Sequence, residues 1–188
     1  LTKEEQSLIE LMGEEKVPYI LDFAVDDTIG YTLDFFRVKG GDSHMYSFHT
    51  QSDKGFSSKD ISFKPQLDAE GNYVGTYASP DFERGHDPAS TDNVGADKTF
   101  YNRGYTWLTH VDKGNVNSGI FTIDFAIQDF RKHAKDADGV HLQFTALNDW
   151  IPSAVDLTKG YPPQTMLNQI VTGLDYMFIH REGKDLDT

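Results

Sequence analysis

"FTIDFAIQ", residues 121–128, is the segment that decides the fold. Phe121, Ile123, Phe125 and Ile127 alternate with Thr122, Asp124 and Gln128. A period of two places successive side chains on opposite faces of a strand, one apolar and one polar. "VHLQFTAL" (140–147) repeats the pattern, with Val140, Leu142 and Phe144 expected on the apolar side. Working outward, "VPYILDFAV" (17–25) and "YTLDFFRV" (31–38) read as consecutive strands across "DDTIG". "HMYSFHT" (44–50) follows across "KGGD", where Gly40 and Gly41 suit a tight hairpin turn. "YTWLTHV" (105–111) and "DYMFIHRE" (175–182) are further strands. Turn signals stand at "DAEGN" (68–72), "DKGN" (112–115) and "DADG" (136–139). Many short strands with one apolar face predict an all-β fold, an antiparallel β-sandwich.

Two segments depart from this pattern. "TKEEQSLIELM" (2–12) predicts a short lead-in helix within residues 1–13, with Thr2 and Glu5 as a capping box and Gly13 as the stop. Residues 79–99 form one long polar loop rich in Asp, Pro and Gly. A loop of that length is functional or mobile.

Composition sets outer limits. A chain of 188 residues fits one domain with a sizeable core, here residues 1–188. Aromatic residues are 13% of the total, which favours strands. No apolar run approaches the roughly 20 residues of a spanning helix, so a membrane role is not expected. There is no cysteine, which removes disulfides, thiolate chemistry and cysteine-based zinc sites. A net charge of −13 repels phosphate backbones and argues against nucleic acid. The same charge argues against this chain alone cradling a polyanionic glycan. No signal peptide is visible, no initiator Met is present and the chain stops at "GKDLDT", so it reads as a piece of something longer.

The chemistry-bearing residues form no local motif. His44 and His49 are five apart, an odd offset that sends them to opposite faces of one strand and disfavours shared metal ligation. One could be a base or a glycan contact, but a histidine hydrogen-bonded within the sheet is the simpler reading. His110, His133, His141 and His180 are scattered without HxH or HExxH spacing. Asp81, Glu83, Asp87, Asp92 and Asp97 crowd the long loop with the hard oxygens that calcium takes. Their spacing fits no EF-hand, and a solvated acidic loop explains them as well. Trp107, Trp150, Tyr101 and Tyr105 offer faces for sugar rings, or are core residues. Arg37, Arg103, Arg131 and Arg181 can fork onto a uronate carboxylate, or onto the many Asp and Glu residues of the chain. No nucleophile elbow, phosphate loop or dinucleotide fingerprint is present.

"GYTLDFFRVKGGDSHMYSFHTQ" (30–51) resembles the C-terminal β-sandwich region of heparinase II/III-like polysaccharide lyases. There a "D-x-F-R-V-x-G-G" strand runs into "H-x-Y-x-x-H". Asp34, Phe36, Arg37, Val38, Gly40, Gly41, His44, Tyr46 and His49 match it, and "LDYMFIHREGKDLDT" (174–188) resembles the late strand of that region. The resemblance implies a truncated, supersandwich-like domain of a secreted or periplasmic bacterial enzyme. Its N-terminal helical toroid supplies most of the catalytic groups, and it cleaves uronic-acid polysaccharides by β-elimination. The family's catalytic motifs are not among these residues. The chain is then expected to support the interdomain cleft and to be inactive alone, with His44 and His49 as the catalytic candidates. Arg37, Tyr46, Trp107 and Trp150 are the candidate acidic-polysaccharide contacts. No cofactor follows for this chain, and calcium or zinc belongs to the parent. Truncating a sandwich leaves unpaired edges, so self-association is a further expectation. The alternative is an autonomous carbohydrate-binding or structural module.

Overall fold

The computed structural model describes residues 19–24, 29–50, 54–85, 104–127, 139–160 and 173–188. The expected helix at 2–12 and the long loop beyond residue 85 lie outside them. The described residues are all-β apart from one 3-10 turn at Gly104–Trp107. The chain divides into two compact units, residues 1–44 with 183–188, and residues 45–182.

In the smaller unit β1 (Tyr19–Ala24) and β2 (Gly30–Phe35) pair antiparallel, from Tyr19 opposite Phe35 to Ala24 opposite Gly30. The segment after β2 pairs with the last residues of the chain. Val38 N donates to Thr188 O at 2.6 Å and Thr188 N returns to Val38 O at 2.8 Å. Gly40 N bonds Leu186 O at 2.8 Å, and Leu186 N bonds Gly41 O at 3.0 Å. This corrects the hairpin expected between 31–38 and 44–50: β2 pairs with β1 instead. Gly40 and Gly41 do adopt positive φ, 89° and 86°. The positive φ is as expected, but in a bend rather than a hairpin turn, and the partner is a segment about 150 residues distant, which no local pattern announces.

The larger unit is a sandwich of two sheets. One has the order β3-β10-β9-β6-β5, from β3 (Ser43–His49), β10 (Leu174–Glu182), β9 (Ala154–Gly160), β6 (Leu108–Asn115) and β5 (Ser62–Pro65). The other has the order β4-β7-β8, from β4 (Phe56–Ser57), β7 (Ile120–Ala126) and β8 (His141–Leu147). The pairs β10–β9, β9–β6, β6–β5, β4–β7 and β7–β8 all run antiparallel. β7 behaves as its alternation predicts: Phe121, Ile123 and Phe125 are buried, and they meet Val155, Leu157, Met177 and Ile179 of the opposite sheet. Phe48 bridges the sheets, 5.3 Å from the ring of Phe144 and 6.2 Å from that of Phe125. Burying each such side chain contributes about 1.5–3 kcal/mol, so this apolar layer dominates the unit's stability.

Three local expectations are corrected. Val140 is exposed, because it precedes β8 beside the turn at Gly139, while Leu142 and Phe144 pack on the core. Tyr105–Trp107 belong to the 3-10 turn, and β6 begins only at Leu108. "DKGN" (112–115) is not a turn but the end of β6. A Cβ on Gly114 would sit 2.5 Å from Val155 O and 2.6 Å from the ring of Phe63, so the glycine serves close packing. "DAEGN" is a turn, with Asp68 Oδ1 accepting from Glu70 N and Asn72 N at 3.0 and 2.8 Å. Asn72 and its neighbours hold the Asp68 carboxyl below its usual value.

Candidate functional site

β9 is buried on both faces. Val155 and Leu157 enter the core, while Asp156 and Thr158 point the other way, yet they are only 3% and 2% exposed. A buried carboxylate must be paired and hydrogen-bonded. Asp156 Oδ2 gathers three partners: the Tyr77 hydroxyl donates at 3.1 Å, Lys113 Nζ lies at 2.9 Å and His180 Nε2 at 3.5 Å. His180 Nε2 also meets the Tyr77 hydroxyl at 2.5 Å. No described residue hydrogen-bonds Asp156 Oδ1 or Thr158 Oγ1. Tyr77 arrives on the loop after β5, anchored by its backbone N–H to Leu108 O at 2.8 Å. Its ring stacks on Phe178 at 4.6 Å and 17°, with Tyr105 edge-on at 5.5 Å and Lys113 Nζ 4.7 Å above it.

Burial pushes the Tyr77 hydroxyl far above its ordinary value, and the Asp156 charge adds to this. Tyr77 is thus a fixed proton donor and not a phenolate. For Asp156, burial alone would raise the pKa, but the bonds to His180 and Lys113 outweigh it and the carboxyl sits below 3.8. Lys113 is half in water, so its ion pair contributes no more than about 1 kcal/mol.

A second constellation lies at a break in β6. Thr109 pairs with Lys159 and Asp112 with Leu157, three steps along β6 against two along β9. The extra residue makes a β-bulge, and His110 there has φ 52°, one of two described non-glycine residues with positive φ. The left-handed region costs a non-glycine residue roughly 1–2 kcal/mol. The bulge turns the His110 ring onto Tyr73, with centroids 4.8 Å apart, and Thr109 Oγ1 holds Nδ1 at 3.0 Å. Tyr73 OH donates to both oxygens of Asp112, at 2.9 and 3.1 Å. Lys159, bonded to Asp175 at 2.8 Å, completes the group.

Burial, with the Lys159 charge, lowers the His110 pKa despite Asp112 nearby, so the imidazole is neutral at pH 7. Burial raises that of Asp112 against the bond from Tyr73. Tyr73 is pushed up to about 12 by burial and by Asp112.

Comparison with family models, with curated proteins and with solved structures gives no match. The residues themselves must carry the functional reading.

The residues singled out in the sequence mostly have structural partners. Arg37 forks onto Asp187, Nε to Oδ1 at 2.7 Å and Nη2 to Oδ2 at 2.5 Å, which raises its pKa. His44 is held at both ring nitrogens, by Thr188 Oγ1 at 2.7 Å and Gly40 O at 2.6 Å. His49 is exposed, its ring 5.2 Å from that of Tyr176. Tyr46 packs on the core, 6.2 Å from Phe144. Trp150 also packs there, under the guanidinium of Arg181 at 4.9 Å. Trp107 covers Gly85, with Arg84 5.8 Å over the ring. His141 pairs with Asp124 at 2.5 Å on the polar face of the β7–β8 pair.

Asp81 and Glu83 are exposed, whereas Asp87, Asp92, Asp97, Tyr101, Arg103, Arg131 and His133 lie outside the described residues. Among the described residues no three His, Asp or Glu side chains group to hold a metal. No described helix is long and apolar enough to cross a membrane.

Sequence reasoning missed Tyr73, Tyr77, Asp112 and Asp156. The available signal was an Asp within each of three strand sequences, "LTHVDKGN", "AVDLTKG" and "LDYMFIHRE", where Asp is disfavoured without a partner.

Proposed function

We propose that this chain is the C-terminal β-sandwich of a heparinase II/III-like lyase, which cleaves uronic-acid polysaccharides by β-elimination. In this reading it walls and braces the cleft and does not catalyse alone. One observation carries it. The two stretches with the family likeness, at 30–51 and 174–188, meet through Val38–Thr188, Gly40–Leu186, Arg37–Asp187 and His44–Thr188. The matching residues of one stretch are the hydrogen-bond partners of the other, as expected of one inherited structural device.

In this reading the same contacts give the motif a structural role. Arg37 and both nitrogens of His44 are engaged within the protein. β-Elimination needs a base, a carboxylate neutraliser and an acid converging on one sugar. With a charge of −13, a positive groove for a polyanion must come from other parts of the parent. The exposed rings of Tyr73 and Tyr105 favour the second reading, a carbohydrate-binding module.

The test is release of unsaturated uronate from heparan sulfate, hyaluronan and alginate, by the product of the complete reading frame and by residues 1–188. Product from the complete protein alone is expected. Product from residues 1–188 that is abolished by His44→Ala or His49→Ala would overturn the division of labour. No product from the complete protein on any uronate polymer would sink the lyase reading.

A further inference from the structure

We propose that Tyr73, His110 and Asp112 form a binding subsite for one uncharged sugar ring, with Tyr73 as the platform and His110 Nε2 as the hydroxyl contact. The argument begins with what the fold does at β6. A regular strand would point the residue at position 110 along the sheet's own alternation, but the bulge re-aims it, in a backbone region that His enters far less readily than Gly. Strained backbone of this kind clusters where a side chain is put to use. His110 is presented with one nitrogen already fixed. Thr109 Oγ1 holds Nδ1, and no described group hydrogen-bonds Nε2.

The platform beside it is equally fixed. Tyr73 is 40% exposed, yet its hydroxyl is tied to both carboxylate oxygens of Asp112, which is only 9% exposed. An aromatic ring held rigid at its polar end, with His110 against it and much of its surface in water, suits the C–H face of a pyranose. Little conformational freedom remains to be lost on binding. A neutral imidazole accepts a hydrogen bond from a sugar hydroxyl or donates one, according to tautomer.

Charge selects the class of sugar. Among the described residues, the charged groups acting on the His110–Asp112 pair, besides Asp112 itself, are Asp175 and Lys159, and the last is bonded to Asp175. That set is net negative in a chain of charge −13, so a uronate or sulfated ring is repelled and an uncharged one is not. Among the lyase substrates proposed above, the subsite would thus hold a neutral residue of the polymer. The subsite is defined by residues of this chain alone, so a parent without lyase activity leaves the binding result standing.

The experiment is a nuclear magnetic resonance titration of isotope-labelled residues 1–188 with maltotriose, mannotriose and chitotriose, and with trigalacturonate. At least one neutral trisaccharide should shift the His110 ring and Tyr73 ring signals together, with a Kd near the millimolar range expected of a single subsite. His110→Asn, which tolerates positive φ, and Tyr73→Ala should each weaken that binding about tenfold or more while the amide spectrum stays folded. Trigalacturonate should bind at least about tenfold more weakly than the best neutral probe. The proposal is overturned by no shift of these rings with any neutral probe up to about 10 mM. Unchanged affinity in His110→Asn, or tighter binding of trigalacturonate, overturns it equally.

Discussion

β7 and β9 are both seven-residue strands of the same sandwich, yet they live in different surroundings. β7 alternates buried and half-exposed residues and has water on its outer face. β9 is closed on both sides, and on its outer face Asp156 is held by Tyr77, Lys113 and His180. In β7 the apolar side chains alone fix which face turns inward. In β9 a buried Asp is tolerated only through named partners. The difference teaches that burial by itself does not distinguish a core position from a chemically committed one. The residue type at the buried position does.

The comparison can be broken in several ways. The largest effect belongs to the shared core. Phe125→Ala should cost about 3–5 kcal/mol, measured as a fall in the urea midpoint, because the ring is fully buried between the sheets. Asp156→Ala should cost about 2–3 kcal/mol. It strips the half-buried Tyr77 hydroxyl of its charged acceptor, while Lys113 relaxes into water. Asp124→Ala, on the open face of β7, should cost under about 1 kcal/mol, since Asp124 and its partner His141 both keep water contact. Should Asp156→Ala prove as mild as Asp124→Ala, the two strands are not different in kind.

Acid sharpens the same contrast. The Asp156 carboxyl is depressed below 3.8 in the folded state, so its contribution is present above that value and is lost as pH falls through the folded pKa. Asp112 is raised, so it runs the other way: folding is favoured with it protonated, and that gain is lost as pH rises through its folded pKa. Urea midpoints taken between about pH 6 and 3 should therefore fall less in Asp156→Asn than in the parent chain, and more in Asp112→Asn. Identical slopes in all three proteins would remove the electrostatic account of Asp156 in β9 and of Asp112 in β6. The smallest effect is expected at Thr122→Ala, about 0.5 kcal/mol or less by the same measurement. Thr122 is half-exposed, and among the described residues its hydroxyl meets only that of Thr145, at 3.4 Å.

The strands were legible where one face met water. β7 reads directly from "FTIDFAIQ", and the turn at 68–72 reads from Asp68 and Gly71. β9 went unread although "AVDLTKG" alternates Val155 and Leu157 with Asp156 and Thr158, because the run is only four residues long and its burial does not alternate once both faces are covered. Gly114 misled for a related reason, because glycine signals both turns and close approach, and only the neighbouring strand tells them apart. The candidate site was hidden by separation. Tyr77 and Asp156 are 79 residues apart, and Tyr77 and His180 are 103 apart, so no local spacing could join them. His110 was noticed as a histidine, but its bulge depends on register against β9, which a single strand's sequence does not contain.

The ladder between residues 38–41 and 186–188 also sets a clock. Arg37 and Asp187 are 150 positions apart. Ribosomes add about 5–20 residues per second, so the earlier segment waits on the order of 8–30 s before its partner has been made. Through that interval its backbone N–H and C=O groups have no native mate, and contacts of such long range are the slow ones to form. The Gly40–Gly41 bend also costs more to order than any other pair of residues would. Closing this clasp is thus a late event in biogenesis, and the nascent chain must be kept from pairing elsewhere until it happens.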